Sequence, residues 1–310
     1  MYYFIVNPNS RSGSGLRFLH RLRAELEGRK IDYQVYMTEC VGHGKKLAEQ
    51  ISSLASAENP IHLIGMGGDG TITEILTGLR NIEYITFGFI PTGSGNDFCR
   101  GMKLPTDPLK ALDSILKEER IMNMDIPRVD CNNRFYRFGI STGLGFDAAV
   151  CHEVAISKLK KAFNKIGLGK LIYVLIALKQ LLFCTPFSLS MKLDGETEYH
   201  YKKVYFAAIM NQQYEGGGFK FCPDAKPDDG VLDILVAEGL PRLVIVLALP
   251  TAFFGKHTIF KGIHIHRAKD IEFHSDTAAA LHKDGEVGGF AKDISVCMEK
   301  NTLKVIMPVL

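Results

Sequence analysis

The hydrophobic pattern changes texture once along the chain. Up to about Met124, short apolar runs alternate with stretches whose apolar residues recur every three or four positions. "YYFIVNP" reads as a strand, followed by the loop "NSRSGSG" and a helix from about Leu16 to Glu27. "DYQVYMT" reads as a second strand and "GHGKKLAEQISSLA" as a second helix, with Leu47, Ile51 and Leu54 on one face. Then come "IHLIGM", a glycine loop, the helix "TITEILTGL" and the strand "ITFGFIP". "NDFCRGM" and "DPLKALDSILKE" are further helical patterns, each opening on Asn or Asp in capping position. Strands alternating with helices predict a parallel sheet covered on both faces.

Beyond Met124 the runs shorten. "RFYRFGIS", "FSLSMKL", "KVYFAAIM", "VLDILVAE", "GIHIHRA", "DIEFHSD", "DISVCME" and "LKVIMPV" are strand-like and separated by Gly, Asp, Asn and Pro. This spacing predicts an antiparallel sandwich or barrel, with Ser157 to Phe183 as a helical exception. The fold class expected is therefore α/β: an N-terminal α/β domain over residues 1–125, then a β-rich sandwich domain over 126–299. The final "TLKVIMPVL", within residues 300–310, is compatible with a return to the first domain.

Composition narrows the classes. With 310 residues, 46% of them hydrophobic, a sizeable core is available and two domains are expected. A net charge of +3 gives no support to a nucleic-acid partner. Seven scattered cysteines form no CxxC pair, as expected of reduced, mostly buried thiols in the cytoplasm. "MYYFIVNPNS" has no basic leader and reads as a first strand. The longest apolar run, "LIYVLIAL", falls short of the roughly 20 residues needed to span a bilayer. A soluble chain, or one lying on a membrane surface, is expected.

The glycine loops carry the chemistry. In an open α/β sheet, ligands bind at the carboxyl ends of the strands. Four loops lie there: Asn7 to Gly15, Thr38 to Gly44, Gly65 to Thr71, and Pro91 to Asp97. Glycine lets backbone N–H groups approach an anion, and a following helix N-terminus adds partial positive charge. Ser94 adds a hydroxyl, and Asn96 or Asp97 is placed to cap the next helix. Asp69, inside "GMGGDGT", is unfavourable beside phosphate unless a cation intervenes, which implies Mg²⁺. The loop is neither a Walker A nor a dinucleotide GxGxxG. Taken alone, it also reads as a tight turn between a strand and a helix.

"NPNSRSGSG", "GMGGDGTITEI", "PTGSGNDFCR", "PDAKPDDGVLDILV" and "KDGEVGG", in this order and spacing over most of the chain, resemble the soluble bacterial branch of the diacylglycerol-kinase-type lipid kinases. "GGDGT" is shared with NAD kinases and phosphofructokinases, whereas "PTGSGNDF" and the late "DGE" are more specific. The resemblance implies a nucleotide domain of NAD kinase/diacylglycerol kinase type, a β-rich second domain, and an active site between them. It implies ATP contacts at Asn7, Pro8, Asn9, Ser10, Arg11, Thr38, Gly67, Gly68, Asp69, Gly70, Thr71, Ile72, Thr73 and Ser94. The family often has Thr where Ser94 stands and Asn where Thr73 stands. Glu286 matches the general base for the lipid hydroxyl, while Asp284 is expected to support its turn. "AKPDDGV" matches a structural Mg²⁺ site, implying the carbonyls of Lys226 and Val231 and the carboxylate of Asp229, joined through water by Asp125.

Two stretches suggest where a lipid sits. From Val154 to Leu193 no acid occurs, and Lys158, Lys160, Lys161, Lys165 and Lys170 accompany Leu159, Ala162, Phe163 and Ile166 at helical spacing. Gly239 to Lys269 is likewise acid-free, basic and apolar. Either an anionic membrane surface or packing against the second domain explains them. His264 and His266 share a strand face and read as structural; Tyr214 and Gly216 to Gly218 are left unassigned. The reading is an ATP- and Mg²⁺-dependent kinase for a lipid hydroxyl, foremost diacylglycerol. It is placed in the cytoplasm or on the inner membrane surface, and a homodimer is left open. Another lipid alcohol (sphingoid base, ceramide, phosphatidylglycerol), NAD, or a non-catalytic regulator are the alternatives.

Overall fold

A computed structural model describes residues 1–93, 95–156, 176, 179–181 and 183–309. The elements of the first half are β1 (Tyr2–Val6), α1 (Ser10–Gly28), β2 (Tyr33–Met37), α2 (His43–Ser52), β3 (Ile61–Gly67), α3 (Asp69–Gly78), β4 (Ile85–Pro91), α4 (Asp97–Gly101), α5 (Pro108–Lys117) and β5 (Arg120–Met124). Then follow β6 (Pro127–Cys131), β7 (Arg134–Arg137), β8 (Ser141–Gly145), α6 (Phe146–Ile156), β9 (Phe187–Leu193), β10 (Thr197–Met210), β11 (Tyr214–Glu215) and β12 (Phe219–Lys220). The last are β13 (Leu232–Glu238), α7 (Arg242–Ala252), β14 (Ile263–Ala268), β15 (Asp270–Lys283), β16 (Glu286–Met298) and β17 (Leu303–Met307).

The first sheet has the order β2-β1-β3-β4-β17-β5, parallel except for β5, which runs antiparallel to β17. Period-two alternation sends its apolar residues to both faces. Phe4, Val6, Ile64 and Met66 pack under α1 and α5. Ile5, Leu63, Phe87 and Phe89 pack under α2, α3 and α4. β17 comes from the end of the chain and fills the gap between β4 and β5.

The second sheet system is antiparallel, with the path β14-β13-β10-β8-β15-β16-β6-β7 and β9 beside both β10 and β15. β10 and β15 are 14 residues each, long enough to serve both layers. Both pair with β8 near their C-terminal ends and with β9 earlier. Register shifts at Tyr201/Val204 and His274/Ala279 let them bend from one layer to the other. Val129, Leu144, Met191, Ile234, Phe273 and Ile294 help fill the interior.

Three local expectations change. "NSRSGSG" is not a separate loop: α1 begins at Ser10, with an irregular start marked by φ of +44° at Arg11 and +91° at Gly13. Leu54 lies beyond the end of α2 and is exposed, so it adds nothing to the face of Leu47 and Ile51. Asp107 caps α5 through Leu109 N and Lys110 N, but neither Asn96 nor Asp97 caps α4 through its own side chain. The lysine-rich segment of Lys158, Lys160, Lys161, Lys165 and Lys170, with Leu159, Ala162, Phe163 and Ile166, lies outside the described residues, as does Ser94.

Candidate active site

The glycine loops converge at the carboxyl ends of the parallel strands. Thr92 N and Gly93 N both donate to Gly67 O at 2.8 Å, joining the loop after β4 to the loop after β3. The approach is backbone to backbone: a Cβ on Gly93 would lie 2.4 Å from the Gly68 Cα, so only glycine fits there. Ser10 Oγ and Thr92 Oγ1 share a hydrogen bond of 2.7 Å, and Asn7 Nδ2 donates to Thr71 Oγ1 at 3.4 Å. Thr38 N donates to Val6 O at 2.9 Å. Asn7, Pro8, Ser10, Thr38, Gly67, Gly68 and Thr71 thus belong to one rim. Thr92 belongs with them, although sequence reading did not single it out. Beside the rim is an open concavity of about 570 Å³ lined by Pro8, Leu16, Val35, Tyr36, Met37, Thr38, Glu39, His43 and Leu47.

Glu74 holds the loop that carries Thr38. Its two carboxylate oxygens accept from Gly42 N at 2.7 Å and Gly44 N at 2.9 Å, at the start of α2. This places negative charge at a helix N-terminus, where the orphan amides favour it. Ile72 is fully buried in the core, so its side chain faces no ligand.

Asp69 sits at the first turn of α3 with its carboxylate inside the protein. Oδ2 accepts from Asp97 N and Oδ1 from Phe98 N, each at 3.3 Å, so Asp69 supplies the cap that α4 lacks from its own residues. Burial is the main reason that its carboxyl titrates high, at about 7; the Phe98 amide opposes this, while Asp284 and Glu286 add to it. Three carboxylates therefore crowd one place, with Arg100 as the nearby countercharge.

Asp284 and Glu286 arrive from the other half of the chain on the β15–β16 hairpin. Asp284 and Gly285 form its two-residue turn, with φ of +48° and +77°. Positive φ at both positions is the geometry that matches the twist of a tight hairpin. Asp284 is buried and accepts four hydrogen bonds: Thr73 Oγ1 at 2.7 Å, Gly139 N at 3.1 Å, Ile140 N at 2.7 Å and Ser141 N at 3.0 Å. It does more than support its turn, because Thr73 belongs to α3. Thr73 accordingly turns its hydroxyl to Asp284 and to Asp69 O, at 3.2 Å. Glu286 then reaches the start of α3, where a Cβ on Gly70 would lie 3.2 Å from its Oε1. The exposed candidate base and the phosphate loop are neighbours.

Two further contacts clasp the halves. Asp97 Oδ2 accepts from Gly217 N at 2.6 Å, and Asp97 also pairs with Arg100, whose guanidinium lies 5.8 Å from the Tyr214 ring. Gly216 to Gly218, unassigned from sequence, thus border the site. Arg137 forms a two-pronged pair with Glu299 at 2.7 and 3.0 Å and caps the end of α3 through Leu76 O and Leu79 O.

At the second candidate metal site, Asp125 meets the "AKPDDGV" loop. Asp125 Oδ2 accepts from Gly230 N and its own N donates to Pro227 O, both at 2.7 Å. Burial raises the Asp125 carboxyl, the Gly230 amide opposes this, and Asp229 and Asp228 raise it further. Asp229 pairs with Arg267, which also reaches Asp233 Oδ2 at 3.5 Å.

A buried cluster behind the turn escaped sequence reading, because its members lie far apart in the chain. His282 Nε2 lies 3.1 Å from Asp147 Oδ2 and 3.3 Å from Glu215 Oε1. His282 Nδ1 lies 3.4 Å from Gly285 N, at the turn itself. Burial works against charge on this ring, but Glu215 and Asp147 outweigh it and raise its pKa to about 9. The three residues also have metal-ligand chemistry, with one ligand atom of each within 4.8 Å of the others. The cluster reads as an ionic brace under the turn. His266, by contrast, is structural, hydrogen-bonded to Tyr201 at 2.6 Å.

Comparison with known proteins identifies both parts of the chain. Residues 1–129 match the diacylglycerol kinase catalytic domain, and residues 141–307 match the YegS C-terminal NAD kinase beta sandwich-like domain. The chain is 33% identical over 294 residues to a Bacillus subtilis protein named "Putative lipid kinase YtlR", covering 93% of this chain and 94% of that one. It is 31% identical over 288 residues to the diacylglycerol kinase of Staphylococcus aureus strain MRSA252, covering 92% and 85%. Its fold superimposes with a TM-score of 0.76 on the crystal structure of a "putative diacylglycerol kinase" from Bacillus anthracis, at 25% identity over 99% and 96% of the two chains. An Archaeoglobus fulgidus NAD kinase shares the fold at a TM-score of 0.53 and 13% identity, covering 99% and 94%. The chain belongs to the diacylglycerol-kinase-type family of ATP-dependent lipid kinases.

Proposed function

We propose that this lipid kinase transfers the γ-phosphoryl group of ATP to the hydroxyl of diacylglycerol, giving phosphatidic acid. The observation that carries the reading is the approach of Glu286 to Gly70, which sets a candidate base beside a phosphate loop. In this reading residues 1–125, with 300–310, hold the nucleotide, and residues 126–299 present the lipid. The amides and hydroxyls of Asn7, Asn9, Ser10, Thr38, Thr71 and Ser94, the Arg11 guanidinium and the Gly67–Gly70 backbone hold the phosphates and ribose. Glu286 takes the proton of the lipid hydroxyl as its oxygen attacks the γ-phosphorus and the bond to the ADP oxygen breaks.

Mg²⁺ fits the chemistry of the donor set: the carboxylates of Asp69 and Glu286 both lie at the start of α3, while Asp284 is already saturated by four donors. When bound, the ion supplies neutralisation of phosphate charge. Asp69 is the residue proposed to hold it. A second, structural Mg²⁺ is assigned to the Lys226 and Val231 carbonyls with Asp229, and Asp125 ties that loop to the first domain. The gathering of Asp228 and Asp229 beside Asp125 supports a cation there.

The decisive experiment measures ATP consumption against micellar diacylglycerol, a sphingoid base, ceramide and phosphatidylglycerol, with NAD as control. Turnover on diacylglycerol above all others supports the assignment; preference for another member transfers it, and activity on NAD alone overturns it.

A further inference from the structure

α7 breaks the usual relation between composition and burial. Its sequence, "RLVIVLALPTA", has a single charged residue, and a helix apolar all round is normally enclosed. Here only one side is. Ile245, Ala248 and Ala252 pack into a core with Phe206, Leu235 and Phe221. On the opposite side Leu243 and Leu247 are 70% and 60% exposed. Phe254, in the turn just beyond the end of α7, is 75% exposed. Ile259, in the short turn that follows, is 76% exposed, and Phe253 about half so. Phe183 joins them: Arg242 Nη2 donates to Cys184 O at 3.1 Å, holding the exposed Phe183 close to the helix start. Large apolar side chains gathered in water at one end of the second domain form a patch of the kind that marks an interaction site.

Charge identifies the partner. Exposed Arg242, Lys256 and Lys261 lie among these residues, and no Asp or Glu occurs from Gly239 to Lys269. A second copy of the chain docking through the same patch would set these cations against one another. An anionic bilayer answers both features, taking the apolar side chains to the level of the headgroups and the cations to the lipid phosphates. We propose that the face formed by Leu243, Leu247, Phe253, Phe254 and Ile259, with Arg242, Lys256 and Lys261, docks this kinase onto anionic lipid surfaces. The proposal deepens the lipid-kinase reading by assigning the surface through which the substrate is reached.

The experiment is sedimentation of the full chain with vesicles of phosphatidylcholine containing a third phosphatidylserine, without nucleotide or acceptor. Because no turnover is read, an enzyme inactive on diacylglycerol leaves this test intact. Wild type is expected to bind, and to bind at least tenfold more weakly to pure phosphatidylcholine. Leu243→Ser/Leu247→Ser/Phe254→Ser should lose tenfold or more with an unchanged melting curve, since these side chains are solvent-exposed. Lys256→Gln/Lys261→Gln should lose several-fold and become less sensitive to salt. Unchanged binding by both variants overturns the proposal. So does a dimer seen by analytical ultracentrifugation that the triple substitution abolishes while vesicle binding persists.

Discussion

The hydroxyl of Thr73 donates to Asp284 Oδ2 at 2.7 Å, joining residues 211 positions apart. Through that bond helix α3, which follows the glycine loop, is fixed to the turn that carries Glu286. Asp284 suits the place because all four of its hydrogen-bond partners are donors. An asparagine would turn its NH₂ toward donors on one side. Asp284→Asn is therefore expected to cost about 1–3 kcal/mol, the usual cost of a buried unsatisfied group. Thr73→Val should cost about half as much or less. Urea denaturation measures both, and an Asp284→Asn protein as stable as wild type would contradict this account of the turn.

Glu286 itself makes a different prediction. Glu286→Gln keeps shape and removes the base, so turnover should fall on the order of 10²–10⁴ while the melting temperature stays put. Gly70→Ala tests the same approach from the other side. Its new Cβ would stand 3.2 Å from Glu286 Oε1, tight enough to push the carboxylate away. Activity should drop at least several-fold with little change in stability. If Glu286→Gln turns over at the wild-type rate with chemistry limiting, the base lies elsewhere.

The loop around Asp229 predicts a dependence on metal. Asp229→Ala removes a ligand proposed for Mg²⁺ and also breaks the pair with Arg267, so its melting temperature alone is ambiguous. Chelation separates the two effects. EDTA should lower the melting temperature of wild type by several degrees, and should leave Asp229→Ala and Asp125→Asn almost unaffected. An equal response in all three proteins would count against a structural ion at this loop.

What could be read from sequence was what depends on neighbours in the chain. The glycine loops, the Asp107 cap and the alternation that puts Phe4 and Ile5 on opposite faces are local, and so is the Asp284–Gly285 turn. The parts that escaped are those where distant residues meet. Glu74 serves a loop some 30 positions away, Asp69 caps a helix nearly as far off, and Asp147, Glu215 and His282 form one cluster from three elements. Arg137 looked like one strand residue among many, yet it caps α3 and pairs with Glu299. Composition cannot say which polar residue will be buried. A signal was present only for Glu74, an acid within the apolar run that follows the glycine loop.

The buried carboxyl of Asp69 makes stability depend on pH with a defined sign. Its pKa is about 7 in the folded chain against 3.8 when solvated, so between these values the folded state keeps a proton that the unfolded state has lost. Stability attributable to this group is therefore fully present below about pH 4, declines as pH rises, and levels off above about 7. Every tenfold change in proton affinity corresponds to about 1.4 kcal/mol, so the loss is on the order of a few kcal/mol. Asp69→Asn abolishes the titration. Its amide also faces the amides of Asp97 and Phe98 unfavourably, but that cost does not vary with pH. Plotted against pH, the stability of Asp69→Asn minus that of wild type should rise between pH 4 and 7 and be flat beyond. Saturating Mg²⁺ and ATP should flatten the wild-type curve if the cation is held at Asp69. A difference curve that is flat throughout, measured by chemical denaturation without ligands, would mean that Asp69 is ionised and well solvated in the folded protein.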